Sequence, residues 1–248
     1  MEKKRLDLLV FERGLAPSRE RAQSFIIAGK VLVNDVPVTK PGHAIPVSAV
    51  LRVRGEDHPY VSRGGLKLQA ALDGFHIHVA GRVALDVGAS TGGFTHVLLL
   101  REIQKVYAID VGHNQLDLRI RKDPRVQVFE KVNARHLEFS LIGEKIDVIV
   151  VDVSFISLKK IIPSLLQFAQ PSTDWVTLIK PQFEVGKELV GKGGIVQSED
   201  ARQSVIRELV EFAASQGLVQ QGLMDSPILG TEGNKEFLAH WKMVNKQS

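Results

Sequence analysis

The chain has 248 residues, 44% of them hydrophobic and 24% charged, the balance of an ordinary folded protein, so disordered and collagen-like classes are excluded. No apolar run exceeds four residues, far below the roughly 20 that a membrane span needs, and with no cysteine there is no disulfide, thiolate metal site or cysteine nucleophile. Ten basic against seven acidic residues in the first 59 place +3 of the +4 net charge there, a balance that suits either a nucleic-acid contact or a plain solvated surface. The opening stretch MEKKRLDLLVFERG is interrupted by Asp7, Glu12 and Arg13 and has no small-residue cleavage site. It does not read as a signal peptide, so a cytoplasmic location is expected.

The first helix is predicted over Leu6 to Glu12. A second is entered at Pro17-Ser18, with Ser18 as N-cap, Ala22, Phe25 and Ile26 on one face and Arg19 and Arg21 beside it. Gly29 stops it. VLVNDVPV then reads as two short strands joined at Asn34-Asp35, and another strand is expected near Val50 to Val53. The segment 55–61 has the polar, Gly/Pro character of a linker, which divides the chain into a domain over 1–59 and a larger one over 60–248.

SRGGLKLQAALDGF opens the second domain as a helix. From Val83 onward, RVALDVG, KVYAIDV, RVQVFE, KIDVIVVDV and DWVTLIK predict five strands alternating with helices. That pattern means a doubly wound parallel sheet covered on both faces, an α/β fold. The first strand ends in LDVGASTGGF. Gly88, Gly92 and Gly93 allow a tight turn and a close backbone approach, and Asp110, at the end of the next strand, can accept hydrogen bonds from ribose hydroxyls. An adenosine cofactor follows. Ser90 stands where a dinucleotide fingerprint needs its second glycine, and Asp86 suits a cationic sulfonium better than a pyrophosphate, so S-adenosylmethionine is favoured.

Arg5-Leu6-Asp7, Ser18-Arg19 and Gly29-Lys30-Val31-Leu32-Val33-Asn34 resemble the wording of the S4 RNA-binding domain, a small α+β module. The resemblance implies phosphate contacts from Arg5, Arg19, Arg21 and Lys30, each adding salt-dependent affinity; helix-surface charges are the plainer alternative. The larger domain resembles FtsJ-type ribose methyltransferases in SRGGLKL, LDVGASTGGF, AIDVG, VVDVSFIS, LIKPQFE and GNKEF. The pairing of the two is similar to the TlyA, or haemolysin-like, family of ribosomal RNA 2′-O-methyltransferases. The resemblance implies a Rossmann-like methyltransferase sheet, a Lys67, Asp152, Lys180 and Glu236 catalytic set, and cofactor contacts from Asp86, Gly88, Ser90, Gly92, Gly93, Phe94, Asp110 and Asn133. It implies no metal. Its substrate would be a cytidine ribose in ribosomal RNA or a ribosomal subunit; nucleotide, subunit and oligomeric state are not legible in the residues.

A ribose 2′-hydroxyl is a poor nucleophile at neutral pH, whereas a methyl sulfonium is already activated. The protein must therefore polarise or deprotonate the hydroxyl and align it. Lys180 is expected as base or hydroxyl activator, Asp152 and Glu236 as orienters and Lys67 as a second cation at the substrate. Asp152 and Lys180 follow the apolar ends of two strands, where ligands gather in parallel sheets. Glu236 is open to two alternatives, an ordinary exposed strand glutamate or replacement by nearby Glu232. An amino-group methyltransferase would want prolines after the fourth strand, where Asp152-Val153-Ser154-Phe155 has none. A pseudouridine synthase would lack the cofactor loop, an inactive RNA-binding assembly factor would lose members of the four-residue set, and a membrane-lytic haemolysin would need an amphipathic or spanning segment. The Gly-rich connection Pro181 to Gln197 is expected to be a mobile loop that closes on RNA or cofactor.

Overall fold

In the computed structural model, which describes residues 2–16, 18–54, 58–230 and 233–244, the amino-terminal unit begins with a strand, β1 (Lys3–Arg5), that runs directly into α1 (Leu6–Glu12). Pro17, linker residues 55–57 and Glu232 lie outside the described residues. Ser18 caps α2 (Arg19–Ile27), its Oγ accepting from the Arg21 backbone N–H at 3.2 Å. β2 (Val31–Val33) and β3 (Val36–Pro37) form a hairpin whose corner residues, Asn34 and Asp35, have φ of 50° and 65°. Two left-handed residues in succession match the right-handed twist of a tight hairpin, and Asn and Asp tolerate that conformation. β4 (Ala44–Pro46) pairs with β1, and β5 (Leu51–Val53) with β2. Leu6, Leu9, Val10, Ala22, Ile26 and Val31 are buried together between the helices and the hairpin.

In the first turn of α1, Asp7 is a fully buried charged residue. Arg5 grips it through Nε and Nη2 at 3.0 Å each, Arg19 Nε donates to it at 3.0 Å and Gln23 Nε2 at 2.9 Å. A buried carboxylate is tolerable only with such partners.

The chain divides into two units at His58 and Pro59. The carboxy-terminal unit starts with α3 (Gly64–Gly74) and alternates β6 (Val83–Val87), α4 (Gly93–Leu100), β7 (Lys105–Ile109), α5 (Leu118–Arg121), β8 (Val126–Phe129), α6 (Phe139–Ile142), β9 (Val148–Val151), α7 (Ile162–Leu165) and β10 (Asp174–Ile179). It ends with α8 (Glu199–Ser215), β11 (Leu218–Asp225) and β12 (Phe237–Met243). The sheet order is β11-β12-β10-β9-β6-β7-β8, parallel from β10 through β8, with β12 antiparallel to both its neighbours. Strand alternation divides the core. Ile149 and Val151 of β9 enter the layer shared with α7 and α8, and Val148 and Val150 enter the layer shared with α3 and α4. Apolar residues on both sides of one strand are what a doubly wound sheet requires.

The sheet has seven strands where the sequence patterns predict five. β11 is an edge strand, LVQQGLMD, whose residues alternate between buried or half-buried and exposed. β12 carries His240 and Lys242, which obscure its apolar run. Those polar side chains have a purpose at the end of the sheet where the parallel strands begin. Asp174, at the start of β10, faces His240 Nε2 at 2.8 Å, Arg82 Nη1 at 2.9 Å and Lys242 Nζ at 3.1 Å. Although burial opposes it, bonding to His240, Arg82 and Lys242 holds the Asp174 carboxyl well below the usual carboxylate range.

Candidate active site

The sheet reverses its winding between β6 and β9, and ligands of such sheets bind where the loops leaving those strands diverge. Gly88, just after β6, has φ +86°, and a Cβ there would lie 2.2 Å from the Asp152 carbonyl oxygen. Only glycine lets the β6 and β9 exits come so close. Ser90 follows with φ +47°. Its backbone N–H donates to Asp110 Oδ2 at 2.7 Å, while Gly112 N–H donates to Asp110 Oδ1 at 2.6 Å. Asp110 thereby fastens the β6 loop to the end of β7 before any ligand arrives.

Two cavities meet at this loop and share Gly88, Ser90, Asp152 and Ser154 in their walls. The second, of about 470 Å³, is a slot between Val87, Ile109, Val111, Val132 and Ile156, with Asp110, Gln115 and Asn133 at its polar edge. Apolar walls with a few convergent polar groups suit a flat heterocycle joined to a ribose. Asn133 Oδ1 accepts from the Arg135 N–H at 3.1 Å, which fixes the side chain. The first cavity, of about 570 Å³, is more polar and includes Ser62, Arg63, Lys67, Phe94 and Lys180.

Three of the four expected catalytic residues line that first cavity: Lys67, Asp152 and Lys180. Lys180, immediately after β10, places Nζ 2.6 Å from Asp152 Oδ1 and 2.9 Å from Ser154 Oγ, both on the segment leaving β9. Lys67 projects from α3, only 8% exposed, and its Nζ lies 2.5 Å from Glu236 Oε2. Glu236 is 3% exposed and lines neither cavity. The open-surface alternative for this glutamate is therefore corrected: it is a buried carboxylate whose outlet is Lys67.

Other expected contacts divide similarly. Gly93 and Phe94 lie on the first cavity, Asp110 and Asn133 on the second, and Gly88 and Ser90 on both. Asp86 and Gly92 line neither. Gly92, φ +92°, faces Leu116 and Ile120, and a Cβ would meet Leu116 Cδ1 at 2.8 Å, so its lack of a side chain serves packing. Asp86 is fully buried beneath the loop; its Oδ2 accepts from Thr95 Oγ1 at 2.6 Å and its Oδ1 has no hydrogen-bond partner among the described residues. Burial pushes its carboxyl up to about 7, and nearby Asp152 and Asp110 push the same way. Three carboxylates around one loop make a setting that favours a cationic ligand and disfavours a pyrophosphate, and the residues present fit S-adenosylmethionine.

Residues that the sequence reading left aside brace the site. Phe155, φ +63° and 91% exposed, stands beside Phe183 with ring centroids 5.1 Å apart. Glu184 accepts from Ser157 Oγ at 2.6 Å and from the Leu158 N–H at 2.7 Å. Burial pushes the Glu184 carboxyl up, and those same hydrogen bonds oppose it. These contacts tie the β10 exit to the β9 exit. The far end of the connection is fastened too, by Asn234, which binds Gly194 O at 2.9 Å and the Val196 N–H at 3.1 Å. The 181–197 connection, expected as one mobile loop, is thus held at both ends and folds into short 3-10 turns. Its sequence signal was the polar residues themselves, Glu184 and Asn234, spaced too far from their partners to be paired by eye.

In the amino-terminal unit, Arg5 and Arg19 are half-exposed but committed first to Asp7, whereas Arg21 and Lys30 flank the Phe25 ring at 4.9 and 5.9 Å. Among the described residues there is no group of three metal-ligating side chains, and no helix long and apolar enough to cross a membrane.

Residues 60–243 match the FtsJ-like methyltransferase family, and residues 4–51 match the S4 domain. The 16S/23S rRNA (cytidine-2′-O)-methyltransferase TlyA of Mycobacterium tuberculosis is 45% identical over 234 residues, 94% of this chain and 87% of that protein. Hemolysin A of Brachyspira hyodysenteriae is 43% identical over 238 residues, 96% of this chain and 99% of that protein. A solved haemolysin-like protein of Streptococcus thermophilus superimposes with a TM-score of 0.77 at 41% identity, covering 99% of this chain and 90% of that one. The chain belongs to the FtsJ-like methyltransferases that carry an amino-terminal S4 domain.

Proposed function

We propose that the protein transfers a methyl group from S-adenosylmethionine to the 2′-hydroxyl of a cytidine ribose in ribosomal RNA, acting in the cytoplasm. The observation that carries the reading is the meeting of two lysines, Lys67 and Lys180, each with its own carboxylate, on one cavity that shares a wall with the apolar slot ending at Asp110. Asp110 and Asn133 would hold the adenosine end of the cofactor, with the carboxylates around the β6 loop facing its positive charge. When bound, the cofactor supplies a methyl group already activated by the sulfonium. The residues of the chain do the rest. Lys180, fixed by Asp152, faces the acceptor hydroxyl and takes its proton; Lys67, fixed by Glu236, offers a second cation to the oxygen or to a neighbouring phosphate.

A platform for RNA is supplied at the same place. Phe155 is an exposed aromatic on the rim of the slot, beside Asp152, and RNA bases that leave the stack are received by such rings. Domain 1–59 serves as the RNA grip through Arg21 and Lys30, with Arg5 and Arg19 contributing what Asp7 leaves free, while 60–248 carries cofactor and catalysis. Against the membrane-lytic alternative, no helix among the described residues is long and apolar enough to cross a membrane. Incubating the full chain with labelled S-adenosylmethionine and, separately, naked ribosomal RNA, each subunit and intact ribosomes, followed by mapping of ribose methylation, tests the reading. Transfer to a cytidine 2′-oxygen is the expected result; cofactor-binding protein that methylates none of them overturns it.

A further inference from the structure

We propose that Ser154 is a positioning residue for methyl transfer, its hydroxyl being the second anchor that sets the direction in which Lys180 faces the acceptor. The proposal rests on the reading of Lys180 as the hydroxyl activator.

Asp152 and Ser154 are two residues apart on the chain leaving β9, and both side chains meet Lys180 Nζ. The chain then turns away at Phe155, whose φ of +63° is costly for an aromatic residue. Lys180 leaves the neighbouring parallel strand, β10, and comes within 2.6 Å of Asp152 Oδ1 and 2.9 Å of Ser154 Oγ. All three residues line the first cavity.

An ammonium has three N–H groups. Ser154 Oγ accepts along one of those directions, while Asp152 Oδ1, with no hydrogen-bond partner among the described residues, holds the group by charge at 2.6 Å; the remaining directions are left for the cavity. A neutral amine has two N–H groups and a lone pair, and with one N–H held by Ser154 the lone pair is free to face the cavity. The hydroxyl, beside the ion pair with Asp152, therefore serves both protonation states: it leaves an N–H for a ribose oxygen or a lone pair for a ribose hydroxyl. In the reaction the 2′-oxygen bonds to the methyl carbon, the methyl–sulfur bond breaks with its electron pair left on sulfur, and the hydroxyl proton passes to neutral Lys180 Nζ. With Asp152 alone, rotation about Cε–Nζ would spread the lone pair over several directions. Misplacement of this kind costs rate far more than affinity.

Ser154 is exposed and belongs to no apolar cluster, so its replacement leaves the fold intact. Ser154→Ala, Ser154→Thr and Lys180→Ala are compared in the full chain, with labelled S-adenosylmethionine and the ribosomal RNA substrate that the wild type methylates. Ser154→Ala should lower kcat on the order of 10- to 100-fold, keep the cofactor Kd and the KM for RNA within about threefold, and displace the acid limb of the kcat profile against pH. Ser154→Thr, which keeps the hydroxyl, should return kcat to within about threefold of wild type. The proposal is overturned by Ser154→Ala with unchanged kcat, by a fall in kcat matched by an equal loss of cofactor affinity, or by failure of threonine to rescue. If Lys180→Ala is inactive and Ser154→Ala fully active, the positioning role alone fails. Retained turnover in Lys180→Ala removes the underlying reading and the proposal with it.

Discussion

Glu236 lies behind Lys67 at the first cavity: its Oε2 is 2.5 Å from Lys67 Nζ, and of the two Lys67 lines the cavity wall. The pair joins α3 to the entry of β12 across 169 residues of sequence, so it holds the fold as well as the site. Removing one partner of a buried pair leaves the other charge without compensation, whereas replacing both with apolar groups is tolerated. Glu236→Ala should destabilise the protein by about 3–5 kcal/mol and abolish transfer. A Lys67→Met, Glu236→Leu double variant should recover most of that stability and none of the activity. Urea unfolding alongside labelled methyl transfer checks both halves, and a single variant as stable as wild type would refute the first.

Asp86 makes the stability of the cofactor-free protein depend on pH with an unusual sign. Its folded carboxyl titrates at about 7, pushed up chiefly by burial, whereas an unfolded aspartate titrates near 3.9. Between those values the folded state binds the extra proton, so stability falls as pH rises from about 4 to about 7 and then levels off. The loss amounts to a few kcal/mol. Asp86→Asn, which keeps shape and the hydrogen bond from Thr95 but carries no titrating group, should flatten that part of the curve. Urea midpoints of both proteins across pH 4–8 decide it; parallel curves would show that Asp86 is not the group responsible.

The proposed stacking of an RNA base on Phe155 can be tested apart from stability. Phe155 is 91% exposed at φ +63°, beside Phe183, so its ring does little for the fold, and an exposed side chain of this kind costs within about 0.5 kcal/mol on removal. A base stacked on an aromatic ring is worth about 1–3 kcal/mol. Phe155→Ala should therefore raise the KM for RNA by roughly 5- to 150-fold with the thermal midpoint and cofactor Kd unchanged. Glycine at the same position relieves the left-handed backbone and should be at least as stable as alanine. An unchanged KM would remove the ring from the RNA path.

What was legible in the chain follows the range over which each signal acts. α1, the Ser18 cap, the Asn34-Asp35 corner and the strands from β6 to β10 announce themselves within a few residues, through capping, left-handed tolerance and continuous apolar runs. Lys67, Asp152, Lys180 and Glu236 are named through the family resemblance of their motifs, and Asp152 and Lys180 also by their places after the apolar ends of two strands. What could not be read depends on partners far away. β12 looks polar until Asp174 and its counter-charges are brought together 66 residues apart, and Glu236 looks like a surface residue until α3 covers it. Asp86 and Gly92 stand in the loop motif, but the backbone turns them away from both cavities, which no spacing rule reveals.

Asp7 anchors Arg5 and Arg19, two of the phosphate contacts proposed for the amino-terminal unit. Its carboxyl is fully buried and accepts from Arg5, Gln23 and Arg19; the Arg5 hydrogen bond foremost, against the opposing effect of burial, holds it far below the usual carboxylate range. A carboxylate with a depressed folded pKa contributes stability that is complete above its unfolded value and is lost as pH falls toward the folded one. Amide exchange over residues 6–27 in the full chain should accordingly be independent of pH above about 5 and quicken, after correction for intrinsic rates, below about 4. Asp7→Asn should show the quicker corrected rate even at neutral pH, because both arginines lose their anchor. The arginines also divide by task. Arg21→Ala and Lys30→Ala should leave exchange unaffected and each reduce the slope of RNA affinity against salt by about one ion. Arg19→Ala should speed exchange first, since its guanidinium is bound to Asp7 before it is free for a phosphate. A full-unit loss of salt slope for Arg19→Ala, with exchange unaltered, would show that its bond to Asp7 is incidental.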